Sequence, residues 1–162
     1  MRIPMLMLGL VFSLTAPTLA QTPTARAQTL ASEFSKFKNE TRIKKGTTRT
    51  RYKEVVSEAW VARPEAYAGR YFTDDGMRLD ITVGASGQVT GSGRDDARFE
   101  LRNLTISDGL LTGTKVYSDG SRRNFEAVFL KRATRESADA GFSVHYGIGM
   151  LVDESRVFAV RQ

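Results

Sequence analysis

The stretch Phe142-Ser143-Val144-His145-Tyr146-Gly147-Ile148-Gly149-Met150 carries an apolar side chain at every second position. Successive side chains of a strand point to opposite faces, so this alternation predicts a half-buried β-strand. Leu79, Ile81 and Val83 alternate in the same way, as do Phe125, Ala127 and Phe129. Between such runs stand Asp75-Gly76, Ser86-Gly87, Asp108-Gly109 and Asp119-Gly120, dipeptides of the kind that supply the positive φ of tight hairpin turns. The predicted strands cover 67–73, 77–83, 88–92, 98–106, 110–117, 122–131, 142–150 and 156–161. The expected fold is mainly β: an antiparallel up-and-down meander or small β-barrel of about eight strands, preceded by a short helical N-terminal segment.

Two details refine the pattern. Phe99 and Leu101 fall on odd positions whereas Leu104 and Ile106 fall on even ones, so a bulge or a break is expected near Arg102-Asn103. Ser86-Gly87-Gln88-Val89-Thr90-Gly91 is echoed by Asp108-Gly109-Leu110-Leu111-Thr112-Gly113, one turn-plus-strand solution used twice. Its second glycine permits the bends a small barrel needs. The polar stretch 132–141 reads as the longest loop.

Working outward, Arg2, the apolar run Ile3 to Leu14 and the small residues before Gln21 have the plan of a secretory signal peptide. Residues 1–20 are therefore set aside from the fold, with a second cleavage point after Ala27 as the alternative. The run is too short for a spanning helix. The expected location is exported, in a bacterial periplasm or outside the cell. The chain holds no cysteine, which excludes disulfides, thiol nucleophiles, Cys-ligated metals and an acylated lipoprotein cysteine.

Charge divides the chain at Tyr67. Residues 21–66 hold ten Lys or Arg against five Glu, whereas residues 67–162 hold thirteen basic and thirteen acidic side chains. Two regions follow: a basic, partly helical N-terminal segment, 21–66, and a β-barrel domain, 67–162. Leu30, Phe34 and Phe37 predict a short helix capped by Thr29, and Tyr52, Val55, Val56, Ala59 and Trp60 predict another from Arg51 to Ala62, ended by Arg63-Pro64. The basic stretch between them, 41–51, reads as a loop or weak extended segment.

Little in the sequence points to catalysis. The single His145 alternates away from the apolar face of its strand, and no Gly-x-Ser-x-Gly elbow accompanies it. One histidine without cysteine is a poor basis for a zinc site, which takes three or four protein ligands. Asp74-Asp75 and Asp95-Asp96 sit at glycine-adjacent turns, where aspartate bonds the local backbone. Gly91-Ser92-Gly93-Arg94 opens no helix to receive a phosphate. Arg122, Arg123 and Arg132 read as surface charge balanced by nearby acids. No enzyme activity, cofactor, metal or nucleic-acid partner is expected.

Tyr67-Ala68-Gly69-Arg70-Tyr71-Phe72 resembles the Gly-x-Trp opening strand of calycin barrels such as lipocalins and avidins, with Tyr71 in place of the tryptophan. The resemblance implies a basic residue from the last strand, here Arg161, against that ring. It also implies an interior cavity for a hydrophobic ligand.

Two functional expectations follow. The first is an exported, non-enzymatic binding module of the cell envelope that contacts an acidic partner, a protein or an anionic polymer or surface, through Lys44, Lys45, Arg49, Arg51 and Lys53. The alternative is a carrier of a small apolar ligand, with Tyr71, Phe125, Phe129, Tyr146 and Met150 lining a lipocalin-like cavity.

Overall fold

A computed structural model describes residues 22–162; the expected signal segment, 1–20, lies outside the described residues. Helix α1 (Ala25–Ser32) is followed by β1 (Lys36–Lys44), β2 (Thr47–Ala59), a single 3-10 turn (Pro64–Tyr67) and β3 (Gly69–Phe72). Then come β4 (Arg78–Val83), β5 (Val89–Arg94), β6 (Arg98–Ser107), β7 (Leu110–Tyr117), β8 (Arg122–Arg135), β9 (Ser143–Val152) and β10 (Ser155–Arg161). Every strand from β3 to β8 pairs antiparallel with its sequence neighbour, β10 pairs with β3, and β9 lies between β8 and β10. The eight strands β3–β10 thus close into a barrel, which leaves no free edge among them.

The expected switch of apolar face is a bulge. The β6–β7 register shifts between Arg102 and Thr105, and Asn103 has a φ of 54°. One extra residue there turns Leu104 and Ile106 onto the face already occupied by Phe99 and Leu101.

That inner face is filled. Tyr71, Leu79, Ile81, Leu111, Phe125, Phe129, Ile148 and Met150 form one buried cluster. Phe129 stacks on Tyr67 at 3.6 Å between ring centroids. Tyr67 comes from the 3-10 turn and closes one end of the barrel: its hydroxyl donates to the Trp60 carbonyl (2.9 Å) and accepts from the Ala62 N–H (2.6 Å). Tyr71 in turn donates to the Tyr67 carbonyl at 2.6 Å. Burial pushes the Tyr71 phenol up to about 12, so it stays a neutral donor.

The N-terminal segment corrects the sequence reading in two places. The helix runs from Ala25 to Ser32, and Thr24, not Thr29, caps it by accepting the Ala27 N–H at 3.0 Å. Ala27, Leu30 and Ala31 lie against Val128 and Leu130 on the outer wall of the barrel, so three small or aliphatic residues make the contact. Phe34 falls after the helix and lies over Gly149, where a Cβ would come within 2.4 Å of its ring.

The second correction is larger: 51–62 is strand rather than helix for most of its length. β2 pairs with β1 along its first half and with β8 along its second. Each half thus has a strand to pair with, and β-branched Thr47, Thr48, Thr50, Val55 and Val56 suit a pleated surface. The helical spacing of Tyr52, Val55, Val56 and Ala59 arises because both faces of β2 are used. Val55 is buried, while Tyr52 packs edge-on against Phe37 on the opposite side.

β1 and β2 therefore form a ribbon built onto the end of β8. From Arg122 to Val128, β8 pairs with β7; from Leu130 to Arg135 it pairs with β2. Phe129 is the changeover, donating to the Gly109 carbonyl (3.3 Å) and accepting from the Trp60 N–H (2.5 Å). Gly109, at φ 86°, has no room for a side chain there, since a Cβ would meet Val61 at 2.9 Å. At the ribbon tip Lys45 (φ 52°) and Gly46 (φ 76°) make the left-handed pair of a two-residue hairpin turn.

Candidate functional site

Strand pairing decides which ribbon side chains share a face. Lys38 lies opposite Lys53, Glu40 opposite Arg51, Arg42 opposite Arg49 and Lys44 opposite Thr47, with Lys36 opposite Val55. Directly opposed residues and those two apart along a strand point the same way. One face therefore carries Lys36, Lys38, Arg42, Lys44, Arg49, Arg51 and Lys53 with Glu40 as its acid. A shallow trough of about 380 Å³ runs along it, walled by Lys38, Arg42, Lys44, Arg49 and Arg51.

Glu40 is engaged by Lys38 (2.9 Å) and Arg42 (3.0 Å), and these two cations hold its carboxyl below the usual range. Lys53 reaches Glu136 at 3.5 Å. Among the described residues, Lys36, Lys44, Lys45, Arg49 and Arg51 have no acidic partner within ion-pair distance. Four of the five cations chosen from sequence, Lys44, Arg49, Arg51 and Lys53, thus share this face. Lys45 occupies the turn.

The reverse face differs in kind. It carries Phe37, Asn39, Thr41, Ile43, Thr48, Thr50, Tyr52 and Val56, with Phe37 66% and Ile43 74% exposed. At its base, Arg135 donates to Glu54 at 2.6 Å and lies over the rings of Tyr52 and Phe142. The Tyr52 hydroxyl donates to the same carboxylate at 2.7 Å, and these bonds lower the Glu54 pKa.

The residues chosen for an apolar ligand divide. Tyr71, Phe125, Phe129 and Met150 belong to the packed interior. Tyr146 is 40% exposed and stands beyond the barrel rim beside Trp60, at 4.6 Å between ring centroids. A cavity of about 180 Å³ opens at the barrel end opposite the ribbon, between Met77, Leu79, Phe99, Phe125, Met150 and Val157. Arg161 pairs directly across from Tyr71 and donates to the Ala68 carbonyl at 2.9 Å.

Sequence reasoning missed the charge at that mouth. Lys115, 4% exposed, bonds Asp95 at 2.6 Å and places its ammonium 4.0 Å from the Phe99 ring centroid. Burial pushes the Asp95 carboxyl up, but the Lys115 ammonium, the Ala97 N–H and the Tyr117 hydroxyl more than offset this and hold it below its ordinary value. The signal was present: Leu111, Gly113, Lys115 and Tyr117 alternate, which puts a lysine on the inner face of β7. Asp95 is consequently more than a turn former.

His145 lies on the outer face opposite Arg132. Arg132 was expected to meet an acid, but its guanidinium instead lies 4.2 Å from the Phe158 ring centroid. Among the described residues, no three His, Cys, Asp or Glu gather to hold a metal, and no helix is long and apolar enough to cross a membrane. No family model, curated protein or solved structure matches the chain.

Proposed function

We propose that this protein is an exported, non-enzymatic binding module of the bacterial cell envelope that engages an acidic partner through the basic face of its β1–β2 ribbon. The observation that carries this reading is the register, which brings seven Lys and Arg onto one face with a single acid. The same segment could have scattered its cations over both faces. Held on a paired scaffold, they add their potentials along one open trough. The apolar reverse face suits a partner that wraps the ribbon rather than one that touches it from one side.

The barrel serves in this reading as the mount. Its eight-stranded closure and the Arg161–Tyr71 pairing support a calycin-like assignment. The carrier reading has one observation in its favour, the mouth cavity containing Phe125 and Met150; native mass spectrometry of protein from its own host should then reveal a small bound molecule.

Replacing Lys44, Lys45, Arg49, Arg51 and Lys53 together with Ser tests the ribbon. Retention on immobilised poly-glutamate should fall steeply with salt for the native chain and become weak and nearly salt-independent for the variant. Unchanged retention and salt slope would remove the ribbon from the account.

A further inference from the structure

A second set of cations lies at the other end of the molecule. Arg78 at the start of β4 pairs with Arg94 at the end of β5, and Arg94 pairs with Arg98 at the start of β6. Three arginines thus stand in one row across three adjacent strands. All three are exposed, and the inner-face positions beside them are Leu79, Gly93 and Phe99, so the row is on the outer wall. Like charges placed directly opposite in a sheet destabilise it, and here the arrangement occurs twice in succession.

Two of the three neighbouring acids are committed elsewhere. Asp80 meets Arg70 at 3.5 Å and Glu100 meets Arg102 at 3.0 Å. Asp96, in the adjoining turn, makes no ion pair of its own among the described residues. Arg78, Arg94 and Arg98 likewise have no carboxylate within ion-pair distance, and neither does Arg122 at the start of β8. These four guanidinium groups border one open concavity of about 770 Å³, together with Ser92, Ser118, Gly120, Arg102 and the ion-paired carboxylates of Asp80 and Glu100.

We propose that the Arg78–Arg94–Arg98 row, with Arg122 at its margin, is a binding site for a ligand carrying two or more phosphate groups. The guanidinium fork matches the oxygens of a phosphate in pairs, and all four positions are arginine rather than lysine. Strand spacing sets the size: two steps of about 4.8 Å span roughly 10 Å, which exceeds the reach of one phosphate and suits a short chain of them. A bound polyanion also removes the repulsion built into the empty row. Because β4, β6 and β8 run in the same direction and the ribbon leaves the far end of β8, this site and the ribbon lie at opposite ends of the barrel. The site does not depend on the ribbon reading.

The test is calorimetric titration of the full chain with inorganic tripolyphosphate and, separately, with vesicles of phosphatidylglycerol or phosphatidylcholine. Titrated in the background of the ribbon variant Lys44→Ser/Arg49→Ser/Arg51→Ser, which takes away the ribbon's own attraction for polyanions, the chain should still bind tripolyphosphate saturably. Arg78→Ser/Arg94→Ser/Arg98→Ser should lose about tenfold or more. Its thermal midpoint in the absence of ligand should equal or exceed that of the native chain, since opposed like charges are removed; Arg94→Gln alone gives a second, milder variant that should weaken binding in the same direction. Row-dependent binding of tripolyphosphate alone identifies a soluble phosphate source, and row-dependent binding of phosphatidylglycerol vesicles as well identifies lipid headgroups. Absence of saturable tripolyphosphate binding, or equal affinity in the row variant, overturns the proposal.

Discussion

The two halves of β9 follow one alternation and meet opposite fates. Ile148 and Met150 are sealed in the barrel, whereas Val144 and Tyr146, four and two residues before Ile148 on the same face, are exposed. The difference is in what lies opposite. Ile148 faces Phe129 across the strand pair and closes over the barrel interior; Val144 faces Ala133 in the part of β8 that has left β7 and joined the ribbon. An alternating apolar pattern therefore reports the face of a sheet, and the barrel rim decides where that face stops being an interior. The ribbon continues the same face outward through Val56, Phe37 and Ile43.

The strongest way to break this comparison is to cut the two halves equally. Ile148→Ala should cost about 2–5 kcal/mol in urea unfolding, since it leaves a cavity in a closed core. Val144→Ala should stay within about 0.5 kcal/mol. Equal losses would show that the ribbon end is buried in solution against something the isolated chain supplies, such as a second copy.

A charge inside the barrel gives the next largest effect. Asp95→Asn leaves the Lys115 ammonium without its anion and should destabilise the fold by about 2–3 kcal/mol, less than a fully buried pair because Asp95 is partly exposed. The pH dependence has a definite sign. The Asp95 carboxyl is held below its unfolded value, so its contribution is complete above about pH 4 and is lost as the pH falls through the folded pKa. Acid titration of unfolding should therefore be shallower below pH ~4 in the Asn variant than in the native chain. An identical acid limb would mean that the mouth is open to water.

The smallest effect sharpens the ribbon. Gly46 has open space around it but a φ of 76°, so Gly46→Val meets no clash and only the strain of a left-handed backbone, about 1–2 kcal/mol. Hydrogen exchange should accelerate in β1 and the outer half of β2 while the barrel core keeps its protection. A fall in barrel protection would show that the ribbon and barrel unfold as one unit.

Much of the barrel was legible in the chain. The turn dipeptides and alternating runs located β4, β6, β7 and β8 to within a few residues, and the parity change at Arg102-Asn103 located the bulge. The ribbon was not legible, because Lys44-Lys45-Gly46 reads as a charged loop when only apolar residues are counted. Its threonines and the Gly46 turn carried the strand signal, and pairing with β8 made it persist where helical spacing pointed elsewhere. Of the candidate sites, the basic residues were visible as a run but not as a face. The Arg78–Arg94–Arg98 row and the Lys115–Asp95 pair were hidden because each joins residues from different strands.

By itself the sequence determined the hairpins, their inward residues and the uneven charge, all of which depend on neighbours a few positions apart. Tertiary structure alone decided the closure of β9 between β8 and β10, the two-sided use of β8, the burial of Lys115 and the sorting of ribbon cations onto one face. Those outcomes are set by strand register between distant segments, and a shift of a single residue would turn every one of those side chains to the other side.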